Sequence, residues 1–529
     1  MGVHEIEDAK LIFDFGYNGA DSHPIVQRRI IRAKQKGATL ITCDPRVIEA
    51  ARISDLHVQL KGGSNLALVN ALCNVIYTEG LMDENFIAEH TEGFDEFVEV
   101  IKKYTPEVAE PICHVPAETI RKCARMYAKA ESAMILYGMG VCQFGQAVDV
   151  VKGLANMALM TGNFGKWATG IGPVRGQNNV QGACDMGASP NQFPGYQNID
   201  KEGILDKFEK AWNTKLNPKI GTKATDCFPK MLTGEVKGLF IFGEDPVRTD
   251  PNTHHVIKCL KALDFFVIDE LFMTETAKLA DVILPGISYT EKEGTFTNTE
   301  RRVQRVRKAV TIEGEAKEDT WIFTEIMNRM GYPQPHLTAA EIMDEISSVT
   351  PSFAGISHAR LDSEEVAGRG LQWPCTSKEH PGTQIMHVGK FSRGLGYFRP
   401  AQYEGAMEAP DEEYPLTMMT GRILYHYNAC AMTDKTEGIN EIANANFIEI
   451  NTVDAEKLGV ENGELVEVSS RRGTITATAH VSYKTNTGEV WMPFHYVDGA
   501  NWLTNDALDS ISSTPEYKAC AVKVSKITA

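Results

Sequence analysis

One stretch concentrates the residue types that do chemistry: IGPVRGQNNVQGACDMGASP, residues 171–190. It is dense in Gly, Asn and Gln, and it follows an apolar helical pattern that stops at GNFGKWATG. Such a segment is poor helix and poor strand yet rich in planar donors and acceptors, the composition of a loop lining a buried polar site. Arg175 is its one fixed positive charge, suited to holding a small carboxylate through two parallel hydrogen bonds. Pairing to a structural acid such as Asp185 is the alternative that the same residues allow.

A second pattern occurs twice. LIFDFG (11–16) and KGLFIFG (237–243) are apolar runs ending in Gly, followed by the polar turns YNGADSHP and EDPVRTDP. Each turn leads into a helical stretch (25–36, 254–263) and then a second apolar run that ends in an acid, Asp44 or Asp269. The tails EAARISD (49–55) and ETAKLAD (275–281) also match in acid, small, basic and aliphatic positions. A polar turn after a buried strand points backbone N–H groups at a pyrophosphate. An acid at the next strand tip accepts hydrogen bonds from ribose hydroxyls or guanine nitrogens. Neither turn is GxGxxG, which disfavours ordinary NAD binding. Taken singly, Gly16 and Gly243 could simply end their strands; their recurrence with Asp44 and Asp269 points to a duplicated nucleotide-binding module.

The elements that must position these residues are strands alternating with helices. LHVQL (56–60), LALVNALCNVIY (66–77), SAMILYG (132–138) and VDVVKGLANMALMTG (148–162) continue the alternation, as a parallel sheet covered on both faces requires. A stretch rich in Pro and Gly around 370–413 reads as a linker. Beyond it the spacing changes to short alternating strands at 414–421, 446–451, 464–473, 474–482 and 488–495, a small β-barrel.

Composition narrows the class. In 529 residues, 43% are hydrophobic and 23% charged, which is globular rather than disordered or collagen-like. A formal charge of −17 without a basic stripe argues against nucleic acid or an anionic membrane as a partner. The first ten residues, MGVHEIEDAK, hold no apolar signal core, and no run approaches the roughly 18 apolar residues of a membrane span. A cytoplasmic chain is expected. The eleven cysteines contain no C-x-x-C pair, so they are expected to be reduced, buried small hydrophobes rather than a zinc ribbon, an iron–sulfur run or a disulfide framework.

The motifs VRGQNNVQGACDMG, FGYNGADSHP, CDPR, GEDP, ADVILPG, EKEGTFTNTERRVQ, LGVENGELVEVSSRRG and STPEYK together resemble the molybdopterin oxidoreductase family. Within it they are most similar to the catalytic alpha subunits of molybdenum- or tungsten-dependent formate dehydrogenases. The resemblance covers essentially the whole chain. It implies an α/β fold of two Rossmann-like parallel-sheet domains related by a pseudo-twofold, plus a C-terminal six-stranded double-psi β-barrel. The expected domains are 1–177, then 178–408 with 291–310 as an insertion from a small cofactor-bridging domain, and 409–529.

The cofactor so implied is bis-molybdopterin guanine dinucleotide carrying Mo or W. Motif matching assigns Asn18, Asp21, Ser22, Cys43, Asp44, Arg46, Gly63 and Asn65 to one dinucleotide, with Met139 and Gln143 beside the pterin. It assigns Gly243, Glu244, Asp245, Thr249, Asp269 and Asp281 to the other, and Arg422, His426, Tyr517 and Lys518 to pterin contacts from the barrel. His426 reads equally as a core or surface histidine. Arg175 and Gln177 fall on the family's catalytic Arg and Gln, with Arg175 orienting formate as it is oxidised to carbon dioxide, or the reverse, and electrons passing to an iron–sulfur cluster and an iron–sulfur electron-transfer subunit.

The chain starts just upstream of its first strand. The family's Cys-rich motif for a 4Fe-4S cluster, and the Cys or selenocysteine followed by His that ligates the metal, are expected before that point; His4 lies too close to LIFDFG to be that histidine. The expectation is therefore a downstream portion of a selenocysteine enzyme, begun at an internal Met, with no metal ligand of its own and no activity alone. The alternatives are another molybdopterin oxidoreductase such as a nitrate reductase, or a non-catalytic scaffold of the kind found in respiratory complex I.

Overall fold

The computed structural model describes residues 2–312 and 314–527. It separates into two compact units, Met1–Val174 with Val247–Val256 and Ile385–Ala529, and Arg175–Pro246 with Ile257–Gln384. These differ from the domain limits expected at 177/178 and 408/409. The barrel shares a unit with the first sheet, and residues 247–256 join them because Thr249 and Arg248 are hydrogen-bonded to barrel-side residues (below).

The first sheet is parallel, built from β1 (Leu11–Phe15), β2 (Thr39–Cys43), β3 (Leu56–Val58), β4 (Ala133–Tyr137) and β5 (Gly170–Pro173) in the order β3-β2-β1-β4-β5. Alternation along β1 sends Leu11, Phe13 and Phe15 into one core with the helices Asn65–Thr78 and Ala147–Met160. Ile12 goes to the opposite face with Leu40, Met134 and Leu136, under Val26, Ile30 and Ala33 of the helix Pro24–Gln35. Helix Asn65–Thr78 is buried almost all round, which is why its sequence is a near-continuous apolar run with little helical stripe. The strand order reverses between β1 and β4, the position where ligands enter the crevice of an open α/β sheet.

The second unit holds a three-stranded parallel sheet of β6 (Gly238–Phe242), β7 (Phe265–Glu270) and β8 (Val282–Pro285) in the order β8-β7-β6. It also holds an antiparallel sheet of β9 (Gly294–Thr297), β10 (Arg302–Val306) and β11 (Leu371–Gln372).

The sequence repeat is real at the level of single hydrogen bonds. Phe15 stands opposite Cys43, and Phe242 opposite Asp269. Gly16 N–H donates to the Cys43 carbonyl at 2.8 Å, and Gly243 N–H to the Asp269 carbonyl at 2.9 Å. Both glycines are left-handed, φ +57° and +59°, a turn that an L side chain enters only with strain. At the other end of the sheets, Asp55 and Asp281 accept from the N–H of Leu40 (2.8 Å) and Phe266 (2.7 Å).

The barrel consists of β12 (Leu416–Gly421), β13 (Phe447–Asn451), β14 (Leu465–Ser469), β15 (Thr474–Ser482), β16 (Glu489–Pro493) and β17 (Cys520–Lys526). It closes in the order β12-β16-β13-β15-β14-β17, with β12/β16 and β13/β15 parallel and the other pairs antiparallel. Period-two alternation fills it, with Val466, Val468, Ile475, Ala477 and Ala479 inside and Thr474 and Thr476 out. No helix of the described residues is long and apolar enough to cross a membrane. All eleven cysteines are free thiols, eight of them buried.

Candidate cofactor and substrate sites

In the first unit the carboxyl ends of β1, β2 and β4 carry the turn 16–22, the loop after Cys43 and the turn 138–142. The two turns flanking the reversal meet backbone to backbone: Gly140 N–H donates to the Gly16 carbonyl at 3.0 Å, and a Cβ on either glycine would lie 2.7 Å from the other's backbone. Asn65 ties a third loop to this point by donating from Nδ2 to the Gly140 carbonyl at 2.9 Å. Gly63 beside it is left-handed. Asn18 donates to Asp21 at 2.6 Å, while its own Oδ1 is buried and meets no donor. Burial raises the Asp21 carboxyl. Ser22 closes the turn through its N–H to the Asn18 carbonyl. Met139, at the head of the turn after β4, is exposed, and Gln143 is half-buried.

Arg46, His57 and Lys518 converge around the Asp44 tip, with Arg422 beside Lys518. Asp44 accepts from Arg46 N–H at 2.9 Å, and its carbonyl accepts from His57 Nε2 at 3.0 Å. Burial raises the Asp44 carboxyl against the pull of Arg46. Lys518 donates to the Thr420 carbonyl. Burial, and next the charge of Arg422, lowers the Lys518 amine to about 7, with Asp44 acting in the other direction. Arg422 follows β12, with its guanidinium over the Phe494 ring. Tyr517 donates from its hydroxyl to the Thr249 carbonyl at 2.8 Å, and Asn501 donates to the Thr249 and Arg248 carbonyls. Thr249, expected with the second module, is thereby part of the first unit.

Three of the expected residues are engaged by the protein's own core and barrel. The Cys43 side chain lies in the core with no exposure, so only its backbone reaches the crevice edge. Arg46 is engaged with Glu449 of β13 at 2.7 Å and stacks over Trp491 at 3.8 Å, which fastens the loop after β2 to the barrel. His426 has one ring nitrogen on Thr433 Oγ1 and the other on the Ala443 carbonyl, the core role open to it from the start.

In the second unit, register corrects the alignment of the acids. Asp269 matches Cys43 rather than Asp44, and the acid standing where Asp44 does is Glu270. Glu244, Asp245 and Glu270 gather at this tip; partial desolvation raises the half-buried Glu270 and the surface Glu244, and neighbouring charge adds to each. Asp245 accepts from Thr276 N–H and Oγ1–H at 3.0 and 2.6 Å. Asp269 is 2% exposed, and burial, then Asp319, pushes it up to about 6. Asp281 belongs to the opposite end of the sheet: its bond to Phe266 is four residues, roughly 13 Å, from the Glu270 tip. It caps a strand and is removed from the candidate site.

Arg175 and Gln177 open the second unit. Arg175 N–H donates to Thr299 Oγ1 at 3.0 Å, and its guanidinium donates to Cys184 Sγ at 3.2 Å. Asp185 is fully buried and takes hydrogen bonds from Gln181, Tyr196 and Trp373 at 2.8, 2.8 and 2.6 Å. Three neutral donors thus hold that carboxylate, and the Arg175 charge acts on it as well. Gln177 caps the start of the short helix Val180–Asp185 through its carbonyl. Among the described residues, no three His, Cys, Asp or Glu side chains are arranged to hold a metal ion.

The sequence reasoning missed Glu270, Gly138 and Gly140. The paired glycines of YGMG directly after a strand were a usable signal for a close backbone approach; Glu270 was hidden because the eye stops at the first acid, Asp269.

The family profile for molybdopterin oxidoreductase matches residues 2–329, and that for the molybdopterin dinucleotide binding domain matches 416–521. The chain belongs to the molybdopterin oxidoreductase family. It is 48% identical to the F420-dependent formate dehydrogenase subunit alpha of Methanocaldococcus jannaschii over 99% of this chain and 78% of that protein. It is 43% identical to formate dehydrogenase H of Escherichia coli over 99% of this chain and 74% of the relative. Acetylene hydratase from Pelobacter acetylenicus shares the fold, with a TM-score of 0.76 at 19% identity over 99% of this chain and 81% of that one.

The residues fit the dinucleotide that this family carries. The first unit offers a glycine-lined approach at the strand reversal, the orphaned Asn18 Oδ1, and the Arg422 guanidinium beside the Lys518 amine as donors for anionic groups. In the second unit no atom lies within 4 Å of where a Gly243 Cβ would stand, and the acids beside it are acceptors for guanine N–H and ribose O–H.

Proposed function

We propose that this chain is the catalytic part of a formate dehydrogenase, interconverting formate and carbon dioxide at a bis-molybdopterin guanine dinucleotide centre that carries Mo or W. The bound metal and pterins would supply the two-electron redox chemistry. The observation that carries the proposal is the register-level duplication, two Gly-ended strands each beside a strand with a carboxylate tip, in a chain 48% identical to a formate dehydrogenase alpha subunit. Residues 16–22, 63–65 and 138–143 with Asp44, Arg422, Tyr517 and Lys518 hold one dinucleotide. Gly243, Glu244, Asp245, Asp269 and Glu270 hold the other.

Arg175 neutralises and orients the formate carboxylate, and its backbone is pinned through Thr299. Prepositioned charge is the main discriminating interaction available for so small an anion. Gln177 lines the same loop. A 4Fe-4S cluster and an iron–sulfur subunit would accept the electrons, in the cytoplasm.

The test uses the full-length gene product, loaded with cofactor. Acid hydrolysis should release GMP, and formate should reduce a viologen dye. Arg175→Ala should cut that rate by about 10²–10³-fold with GMP content unchanged. Nitrate-dependent oxidation of the reduced dye in place of formate activity would move the chain to a different reaction, and absence of GMP would make it a scaffold.

A further inference from the structure

The first sheet buries polar groups that its fold does not require. Asp14, in the middle of β1, has no exposure, sits between Thr42 and Leu136 on the adjacent strands, and neither of its carboxyl oxygens meets a donor. Thr42 Oγ1, Tyr17 Oη and Gln27 Oε1 are buried and lack partners as well. Alternation puts Asp14 and Thr42 on the face covered by the helix Pro24–Gln35, which contributes Gln27 to the buried side. Gln27 Oε1 and Tyr17 Oη converge there, 2.5 and 3.0 Å from the point where a Gly19 Cβ would lie. The corresponding pair in the second sheet is Ile241 opposite Ile268. Two hydrocarbons satisfy the same backbone, so the polar set answers some other need.

Buried polar groups without protein partners are satisfied by internal water or an ion. An ionised carboxylate without a donor is strongly disfavoured in such a place. We propose that Asp14 is a neutral, proton-carrying acid solvated by internal water beneath the crevice, and that the first module binds an anionic nucleotide more tightly while that proton is held.

The second clause rests on the dinucleotide assignment above. Asp14 stands two residues before Gly16, where the crevice turn begins, and a negative charge there would repel a pyrophosphate through a medium of low dielectric. Burial raises the Asp14 carboxyl far above its ordinary value, and the charge of Asp44 adds to this. Burial and Asp14 in turn raise the Tyr17 phenol. The charged neighbour is therefore Asp44 in the loop after β2. Tyr17 after β1 and Cys43 on β2 are the other titratable neighbours, while β4 contributes Leu136 and the covering helix contributes Gln27.

Folded Asp14 keeps its proton at pH values where the unfolded chain has released it. The wild type therefore loses stability as pH climbs above the ordinary carboxylate range. Infrared difference spectra of the full chain at neutral pH should show a protonated-carboxyl C=O band that Asp14→Asn removes, with no loss of thermal stability. The double variant Asp14→Ile/Thr42→Ile, which copies the second sheet, should fold and lack the band.

Wild-type affinity for GDP should fall about tenfold across the pH range in which the band disappears, and Asp14→Asn should lack that component. A carboxylate band at neutral pH, with a cation bound beside it, would overturn the neutral acid. Equal pH slopes in wild type and Asp14→Asn would overturn the linkage. If neither protein binds GDP while the band persists, the dinucleotide assignment fails and takes the linkage with it, and the neutral acid stands.

Discussion

The module at 11–58 and the module at 238–285 repeat one backbone register down to the Gly16/Gly243 and Asp55/Asp281 hydrogen bonds, yet they are fastened differently. In the first, β1 is flanked on both sides, Gly16 is pressed against Gly140, and the loop after β2 is clamped to the barrel by Arg46. In the second, β6 is an outer strand of its sheet, Gly243 has open space where Gly16 has Gly140, and the residue matching Arg46 is Phe272, 39% exposed. A duplicated nucleotide module keeps its backbone hydrogen bonds, while its side chains adapt to what each copy packs against.

The clamp gives the widest predicted gap. Arg46→Ala leaves Glu449 buried without its main counter-charge and is expected to cost about 3–5 kcal/mol in denaturant unfolding. Phe272→Ala should cost no more than about 1 kcal/mol; losses of equal size would break the comparison. The glycines come next. Gly16→Ala adds a backbone clash to left-handed strain, about 3 kcal/mol, whereas Gly243→Ala meets only the strain, about 1 kcal/mol. Thermal unfolding of the two variants side by side checks this.

The smallest effect is the sharpest test of the repeat. Asp55→Ala and Asp281→Ala each remove a strand-capping hydrogen bond worth about 1 kcal/mol and should leave the GMP content of the purified protein unchanged. A drop in GMP for Asp281→Ala alone would return that residue to the cofactor site.

Much of this was legible in the residues. The apolar runs at 11–15, 39–43, 133–137, 238–242 and 265–269 became strands within a residue or two, most of them ended by a Gly or Asp turn at their carboxyl end. The barrel strands followed from period-two alternation, although the sixth, Cys520–Lys526, went unremarked as a strand because its run CAVKVSK opens with three buried residues before alternation begins. The helices at 94–128 were not singled out, and the segment 291–310, expected as an insertion, was not read as the hairpin of β9 and β10.

Within the candidate site, the loop bearing Arg175 and the tips at 44 and 269 could be found from composition and spacing. Which acid faces the crevice could not, since a shift of one residue reverses the side of a strand and Asp269-Glu270 offers an acid in both registers.

Residue order alone determined that two Gly-ended strands would each be followed by a strand with an acidic tip, because turn chemistry and apolar run length are local properties. Only the tertiary structure decided that Arg46 belongs to Glu449, that Asp281 caps a strand, and that Asp14 is sealed among unpartnered oxygens. Each of these depends on which distant side chain arrives beside it, and on how far water is excluded when it does.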